Sequence, residues 1–557
     1  MYSNKKNVLQ LAALLREYGI DHVVVSPGSR NAPIIQTLTQ HPAFRCFTVV
    51  DERSAAFFAL GLIEKLQRPV AVCCTSGTAL LNFGSAVAEA FYQQLPLLVI
   101  SADRPAAWIG QMDGQTLPQP GIFNTMVKKS VSLPEPTTAE DEWYCNRLIN
   151  EALLKLTHHG NGPVQINVPL SEPLFEFTAE ELPRVRTIRY SGGYPKSLDN
   201  NDYFRRQWAQ SSKRMIIIGQ QLPGEKVKNT IETLAAQWDC VVLAEHLANI
   251  PSDAVIGNFD QIIYALPAER WEEFTPDLLI TFGGNVVSKR IRQFMRKQRP
   301  AQHWHLSLDG SVPDLFQSLT DVIEMDHHFF SLLGTPEESQ SMAFSSIWKN
   351  ESEQLRNKSE EFMAAMPFSD LQVLKELFPV LPEGAALQLG NSSTVRNAQL
   401  FQLNPEIPVF CNRGTSGIDG SMSTAVGYSA IHQALTFLVI GDLSFFYDVN
   451  ALWNRHIGKN LRVLLVNNGG GEIFHLLPGL NKAESLNEHV SYRHNTGARE
   501  WADAMGFEYL SVENEAELKE NIVTFVSDNS ERPILMETKT PMEVNAEVFR
   551  AYYHHLK

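Results

Sequence analysis

The chain has 557 residues, too many for a single hydrophobic core, and its length implies three or four domains. Its 44% hydrophobic and 20% charged content is ordinary for a globular protein. A formal charge of −15 argues against general binding to nucleic acid or anionic membranes, so an anionic substrate has to be caught by local arginines.

From the N-terminus, residues 1–6 lead into an amphipathic helix instead of a signal-peptide core. No apolar run approaches membrane-spanning length. Six cysteines occur, none in a Cys-x-x-Cys pair, and most lie in apolar runs. Reduced thiols and a cytoplasmic location are the expectation.

Strand and helix patterns then alternate. Strands are expected at 23–25, 47–50, 70–74, 97–100 and 164–168, with helices over 55–66 and 79–92 between them. A Pro/Gly/Asn-rich stretch over 182–203 reads as a linker. A middle α/β unit follows, with strands at 215–218, 241–243 and 278–281. The charged, Ser-rich segment 336–361 marks a second boundary. The third unit has strands at 386–389, 409–410, 435–440, 461–466 and 534–536. The fold class is α/β: three Rossmann-like domains with mainly parallel sheets, over 1–181, 204–333 and 362–557.

Two polar clusters in the third unit carry the chemistry. Gly441-Asp442-Leu443-Ser444 follows one buried strand, and Asn467-Asn468-Gly469-Gly470 follows the next. Loops past the carboxyl ends of parallel strands are where open α/β sheets bind ligands. Asp442 and Asn468 offer two side-chain oxygens, and the Gly-rich turn frees a backbone carbonyl, assigned to Gly470. Oxygen ligands of low charge suit Mg²⁺ with phosphate and water completing the shell. The backbone N–H groups of Gly441 and Ser444 open a helix and form a diphosphate seat. Taken alone, Asp442 could simply cap that helix.

This spacing resembles the thiamine-diphosphate signature, Gly-Asp-Gly followed by Asn-Asn, with Leu443 in place of the second glycine. Such enzymes pair a diphosphate-binding domain with a pyrimidine-binding one. The latter carries a carboxylic acid that promotes the cofactor's imino tautomer. Glu52, directly after a strand and opening a helix, is the candidate; Asp51 could serve the same purpose. Ile418 is a candidate prop for the bent cofactor, and Ile473 and Phe474 candidate walls.

Further motifs narrow the resemblance. Ser26-Pro27-Gly28-Ser29-Arg30, Asp51-Glu52-Arg53, Thr75-Ser76-Gly77-Thr78-Ala79, Ser101-Ala102-Asp103-Arg104-Pro105 and Gln119-Pro120-Gly121 occur in order. So do Gly390-Asn391-Ser392, Asn412 to Gly420, and Gly441 to Ser444. Together they are similar to the MenD family, the 2-succinyl-5-enolpyruvyl-6-hydroxy-3-cyclohexene-1-carboxylate synthases of menaquinone biosynthesis, across nearly the whole chain. In that family Leu443 is expected.

The resemblance implies thiamine diphosphate and Mg²⁺, with Mn²⁺ as a substitute. It implies decarboxylation of 2-oxoglutarate and 1,4-addition of the resulting succinic-semialdehyde carbanion to isochorismate. It implies cofactor contacts from Gly390, Asn391, Ser392, Ser416, Ile418, Gly441, Asp442, Leu443, Ser444, Asn468, Ile473 and Phe474. Both substrates are dianions, for which guanidinium forks are natural anchors. The implied substrate residues are Ser29, Arg30, Arg104, Gln115, Lys289, Arg290, Ser392, Arg396 and Arg413. Gly114 and His475 depart from the family pattern. The resemblance also implies a homodimer, paired into a dimer of dimers.

Two competing readings remain. An acetolactate-synthase-type carboligase would share the cofactor but has less need of anion anchors. A nucleotide-binding oxidoreductase would need a Gly-x-Gly-x-x-Gly after the first strand, and none is there, although Ile218-Gly219-Gln220 in the middle unit is a degenerate candidate.

Overall fold

The computed structural model describes residues 1–191, 201–477 and 479–557. Residues 192–200 of the expected linker lie outside the described residues. The strands fall into three six-stranded sheets. The first holds β1 (His22–Val25), β2 (Arg45–Thr48), β3 (Val70–Cys74), β4 (Leu97–Asp103), β5 (Lys129–Ser132) and β6 (Val164–Pro169). The second holds β7 (Arg214–Ile218), β8 (Cys240–Ala244), β9 (Val255–Ile256), β10 (Leu278–Phe282), β11 (Gln302–Leu306) and β12 (Asp321–Ile323). The third holds β13 (Ala386–Leu389), β14 (Val409–Phe410), β15 (Thr436–Gly441), β16 (Leu461–Asn467), β17 (Glu508–Val512) and β18 (Ile534–Lys539).

Pairing is parallel, as between Val23 and Ala71, Ile280 and Ile216, or Arg462 and Ile534. Central strands such as β3 and β4 are buried along their whole length, which is why they read as continuous apolar runs. The first sheet is ordered β2-β1-β3-β4-β6-β5 and the third β14-β13-β15-β16-β18-β17, the same permutation. The middle sheet, β9-β8-β7-β10-β11-β12, instead has the order typical of dinucleotide-binding sheets. At its switch point the turns after β7 and β10 are joined by backbone bonds. Gly219 N–H donates to the Phe282 carbonyl at 2.9 Å, and Gly284 N–H to the Gln220 carbonyl at 2.7 Å.

Several expected elements differ. The strand expected at 47–50 runs from Arg45 to Thr48, because Asp51 already caps the following helix. The helix expected over 79–92 is two, Thr78–Leu81 and Gly84–Tyr92. The break comes where Phe83 N–H tightens onto the Leu80 carbonyl. The charged segment 336–361 is largely the helix Ala343–Ala364, which buries Phe344, Trp348, Leu355 and Met363 along one face. Strands β5, β9, β12 and β17, all at sheet edges, were not expected: β9 and β12 are only two and three residues long, and β5 and β17 are only partly buried. Strand β11 is internal, but its inward polar residues are His303 and His305.

The chain gathers into two compact units. One comprises Met1–Ser191, Asn412–Thr436 and Ser444–Leu461; the rest of the described chain forms the other. In the first unit, the helices Lys6–Glu17 and Ala139–Lys155 cover the first sheet around Leu11, Leu15, Ile149 and Ile166. The helix Glu52–Leu66 packs against Ser421–Ser429, all nine of whose residues are buried. A Cβ on Gly61 would lie 2.0 Å from the Thr424 carbonyl oxygen, so glycine sets this close crossing. In the second unit, one core joins Met215, Phe259 and Phe294 to Trp348, Leu371 and Tyr552. All six cysteines are free thiols and five are buried. Among the described residues no helix is long and apolar enough to cross a membrane.

Candidate active site

In the first unit, the segments that follow β1, β2, β3 and β4 meet around a cavity of about 280 Å³. Its lining includes Ser29, Glu52, Thr75, Thr78, Asn82 and Gln115. Three residues singled out in the sequence, Ser29, Glu52 and Gln115, are thus brought together. Thr75 and Thr78 lie in a motif already quoted for the resemblance, whereas Asn82 had no signal in the sequence.

Glu52 is the first residue of its helix and is half-buried. Burial raises its carboxyl above the ordinary value, and the charge of Asp51 adds to the shift. Asp51 is occupied differently: its side chain accepts the Ser54 backbone N–H at 3.1 Å and the Asn450 amide at 2.6 Å. The two adjacent carboxylates, Glu52 the candidate and Asp51 its fallback in the sequence, therefore separate into a cavity wall and a helix cap.

The arginines divide as well. Arg104 Nε donates to the Gly114 carbonyl at 2.8 Å and meets Asp113 at 2.9 Å, which ties it to the loop bearing Gln115. Arg30 is buried, bonded to the Leu170 carbonyl and paired with Glu172 at 3.1 Å. Arg413 is buried in the loop that also carries Ser416 and the exposed Ile418. That loop is gripped by buried Glu89, which accepts the Gly414 N–H at 2.6 Å and both the N–H and hydroxyl of Thr415 at 2.7 Å. The Ser444 hydroxyl donates to the Ile418 carbonyl at 2.5 Å. Glu89 carried no sequence signal because its partners lie more than 300 positions away.

In the second unit, β15 and β16 deliver the other constellation. The helix Asp442–Tyr447 starts as β15 ends, and Asn468 follows β16. Asp442 Oδ2 accepts the N–H groups of Gly469 and Gly470, both at 2.8 Å, and His494 stands 3.4 Å away. Asp442 Oδ1 accepts the Leu443 N–H at 2.6 Å. Gly470 adopts φ 142°, and a Cβ there would sit 2.7 Å from the Ser491 carbonyl oxygen, so the loop requires glycine.

Asn468 donates its amide to Asp370 Oδ2 at 3.1 Å and Glu472 Oε2 at 3.2 Å. Its Oδ1 is buried, and among the described residues it meets no hydrogen-bond donor. A buried amide oxygen without a donor, in the loop that the Asp442 carboxylate holds, is what an oxygen-seeking divalent cation needs, so the donor set fits Mg²⁺. Burial raises the carboxyls of Asp370 and Glu472, and the charge of Asp370 pushes Glu472 up further. Neither residue was anticipated from the sequence.

The remaining expected contacts are placed as follows. Gly390 N–H donates to the Val439 carbonyl at 2.8 Å, Asn391 is buried, and Ser392 adopts φ 71° before the short helix Ser393–Ala398. Arg396 folds back onto the Ser392 carbonyl. Ile473 and Phe474 lie half-buried in a single 3-10 turn after the glycine loop. Lys289 is exposed at the start of the helix Lys289–Gln298. Arg290 is ion-paired with Asp260 and packs its guanidinium over the Tyr553 and Tyr264 rings, 4.2 and 4.9 Å from their centroids.

Comparison with known proteins gives the same direction. The family described as the N-terminal TPP-binding domain of thiamine pyrophosphate enzymes matches residues 8–125, and the middle domain of thiamine pyrophosphate matches residues 194–389. The chain is 52% identical to a 2-succinyl-5-enolpyruvyl-6-hydroxy-3-cyclohexene-1-carboxylate synthase of Bacteroides thetaiotaomicron, over 100% of both chains. It is 51% identical to the protein of that name in Bacteroides fragilis, again over 100% of both. The Flavobacterium psychrophilum protein of the same name is 40% identical, over 97% of this chain and 96% of its own.

Proposed function

Because this chain belongs to the 2-succinyl-5-enolpyruvyl-6-hydroxy-3-cyclohexene-1-carboxylate synthase family, we propose how its residues divide the work of that reaction. Its activity is the thiamine-diphosphate-dependent synthesis of that compound in menaquinone biosynthesis. The three sheets support reading residues 1–181, 204–333 and 362–557 as pyrimidine-binding, central and diphosphate-binding domains.

The observation that carries the residue assignment is the Asn468 oxygen, buried and with no donor among the described residues, in the loop whose Gly469 and Gly470 N–H groups Asp442 accepts. On this reading Asp442, Asn468 and the Gly470 carbonyl would hold Mg²⁺, or Mn²⁺ in its place, which would supply charge neutralisation for a diphosphate. Gly390, Asn391, Ser392, Gly441 and Leu443 line the diphosphate seat, with Ile473 and Phe474 as apolar walls; for Ser416, Ile418 and Ser444 the family resemblance implies cofactor contacts. Thiamine diphosphate, when bound, supplies the electron sink for decarboxylation.

Glu52 holds a proton on its carboxyl for exchange with the pyrimidine ring, and its raised pKa supports that role. Ser29 and Gln115, on the same cavity, orient substrate. Arg30, Arg104, Arg396, Arg413 and the Lys289–Arg290 pair anchor the carboxylates of 2-oxoglutarate and isochorismate. Of that last pair, Lys289 is the exposed cation. We further read the enzyme as a cytoplasmic homodimer, paired into a dimer of dimers, as the family resemblance implies.

Product analysis tests the substrate assignment. With Mg²⁺ and thiamine diphosphate, 2-oxoglutarate and isochorismate should give the named product, and pyruvate should not replace 2-oxoglutarate. Formation of acetolactate from pyruvate would favour the carboligase reading instead.

A further inference from the structure

An asparagine amide has an oxygen and a nitrogen of nearly equal size, and a half-turn exchanges them. An asparagine can hold a cation only if something fixes which end faces it. At Asn468 both amide hydrogens are directed at carboxyl oxygens, Asp370 Oδ2 at 3.1 Å and Glu472 Oε2 at 3.2 Å. Both carboxyl residues are at least nine-tenths buried.

Asp370 is itself fixed from behind. Its Oδ1 accepts the Thr540 hydroxyl and the Asn545 amide at 2.8 Å. The Asn545 oxygen in turn accepts the Asp370 backbone N–H at 2.9 Å, and the Asn545 amide also reaches the Thr540 hydroxyl at 3.1 Å. Turning the Asn468 amide over would set its oxygen against two carboxyl groups and its N–H groups where the oxygen now lies.

We propose that Asp370 and Glu472 are positioning residues that hold Asn468 in the one amide orientation able to ligate a divalent cation. The proposal rests on the reading of Asn468 as a cation ligand. It extends the site to the Thr540–Asn545 end of the chain, which no sequence motif marks. It also makes a counter-intuitive claim about charge. Aspartate is ordinarily the stronger ligand for Mg²⁺ or Mn²⁺, yet here Asn468→Asp would place a third carboxyl against Asp370 and Glu472 and lose the donor that fixes the side chain.

The test is Mn²⁺ binding by electron paramagnetic resonance in the presence of thiamine diphosphate, with folding of each variant checked by circular dichroism. Removing a group that orients a metal ligand lowers affinity by roughly 10–100-fold. Glu472→Leu should fall in that range, whereas Glu472→Gln, which still accepts from Asn468 and donates to Asp370, should bind within about twofold of wild type. Asn468→Asp should weaken binding, and adding Glu472→Gln to it should recover a substantial part, because the glutamine amide donates to the new carboxylate. If Glu472→Leu does not fold, the Asn468→Asp pair decides.

Asn468→Ala separates the two claims. If it weakens Mn²⁺ binding while Glu472→Leu and Asn468→Asp do not, the positioning role is overturned and the ligand reading stands. If Asn468→Ala binds Mn²⁺ as wild type does, both fall.

Discussion

The Asp51 carboxylate closes the first turn of a helix through the Ser54 N–H at 3.1 Å, while Glu52, next to it, faces the cavity shared with Ser29 and Gln115. Substitutions should therefore part cleanly. Glu52→Gln should retain thiamine diphosphate but slow hydrogen–deuterium exchange at its C2 by roughly 10²–10⁴-fold, the usual scale of acid–base catalysis. Asp51→Ala should cost about 1 kcal/mol of stability as a lost helix cap, with exchange near the wild-type rate. The reverse pattern would exchange the two assignments.

At the other constellation, Asp442→Ala should weaken Mg²⁺ and cofactor retention together, because the carboxylate is the proposed cation ligand and also secures the Gly469–Gly470 turn. Gly470→Ala should do the same without touching any ligand side chain, since its Cβ would collide with the Ser491 carbonyl. Isothermal titration of cofactor with and without Mg²⁺ measures both. Wild-type affinity in Asp442→Ala would remove the diphosphate seat from this loop.

For the anion anchors, Arg104→Ala and Arg413→Ala should raise substrate KM by more than tenfold while cofactor affinity holds, a desolvated charge pair being worth about 2–5 kcal/mol. Steady-state kinetics with each substrate varied in turn reads this. Unchanged KM for both substrates in both variants would return these arginines to a structural role.

Glu89 satisfies three donors on the loop that carries Arg413 and Ile418. Glu89→Ala leaves them buried without an acceptor and should lower stability by at least about 2 kcal/mol. Urea unfolding gives the figure. A loss below about 0.5 kcal/mol would mean that water replaces the carboxylate there.

Asp448 predicts a pH dependence. It is fully buried, and burial raises its pKa to about 7 despite hydrogen bonds from the Ser423 N–H at 2.7 Å and hydroxyl at 2.8 Å. The folded pKa lies above the unfolded one, so stability from the neutral acid is complete below pH ~4 and is lost as pH climbs through about 7. Asp448→Asn can keep both partners without ionising. Urea midpoints compared at pH 5 and pH 8 should fall less in this variant than in wild type; an equal fall would place the titrating group elsewhere.

Residues whose partners are close in sequence, or which end a buried strand, were legible before the structure. Asp442 and Asn468 stand directly after β15 and β16, whose buried, mainly apolar runs announce them. Glu52 is marked by its place at the start of the helix that follows β2. Asp370 and Glu89 were invisible because nothing local distinguishes a carboxylate that caps or solvates from one that grips a distant loop. The strands β5, β9, β12 and β17 were invisible because they are too short or too little buried to show a continuous apolar run. The shared strand order of the first and third sheets is equally silent, since topology constrains which positions are apolar and not which residue fills them.

The close crossing at Gly61 has a consequence for how the protein is made. The helix Glu52–Leu66 is buried nearly throughout, and part of what covers it is the helix Ser421–Ser429. A ribosome adding roughly 5–20 residues per second takes roughly 20–70 s to travel from Leu66 to Ser421. For that interval the nascent chain presents an apolar helical face, with Phe57 and Phe58 in it, whose intended cover has not been synthesised. The first unit cannot close before most of the chain has emerged, so the N-terminal third on its own should be a client for holding chaperones.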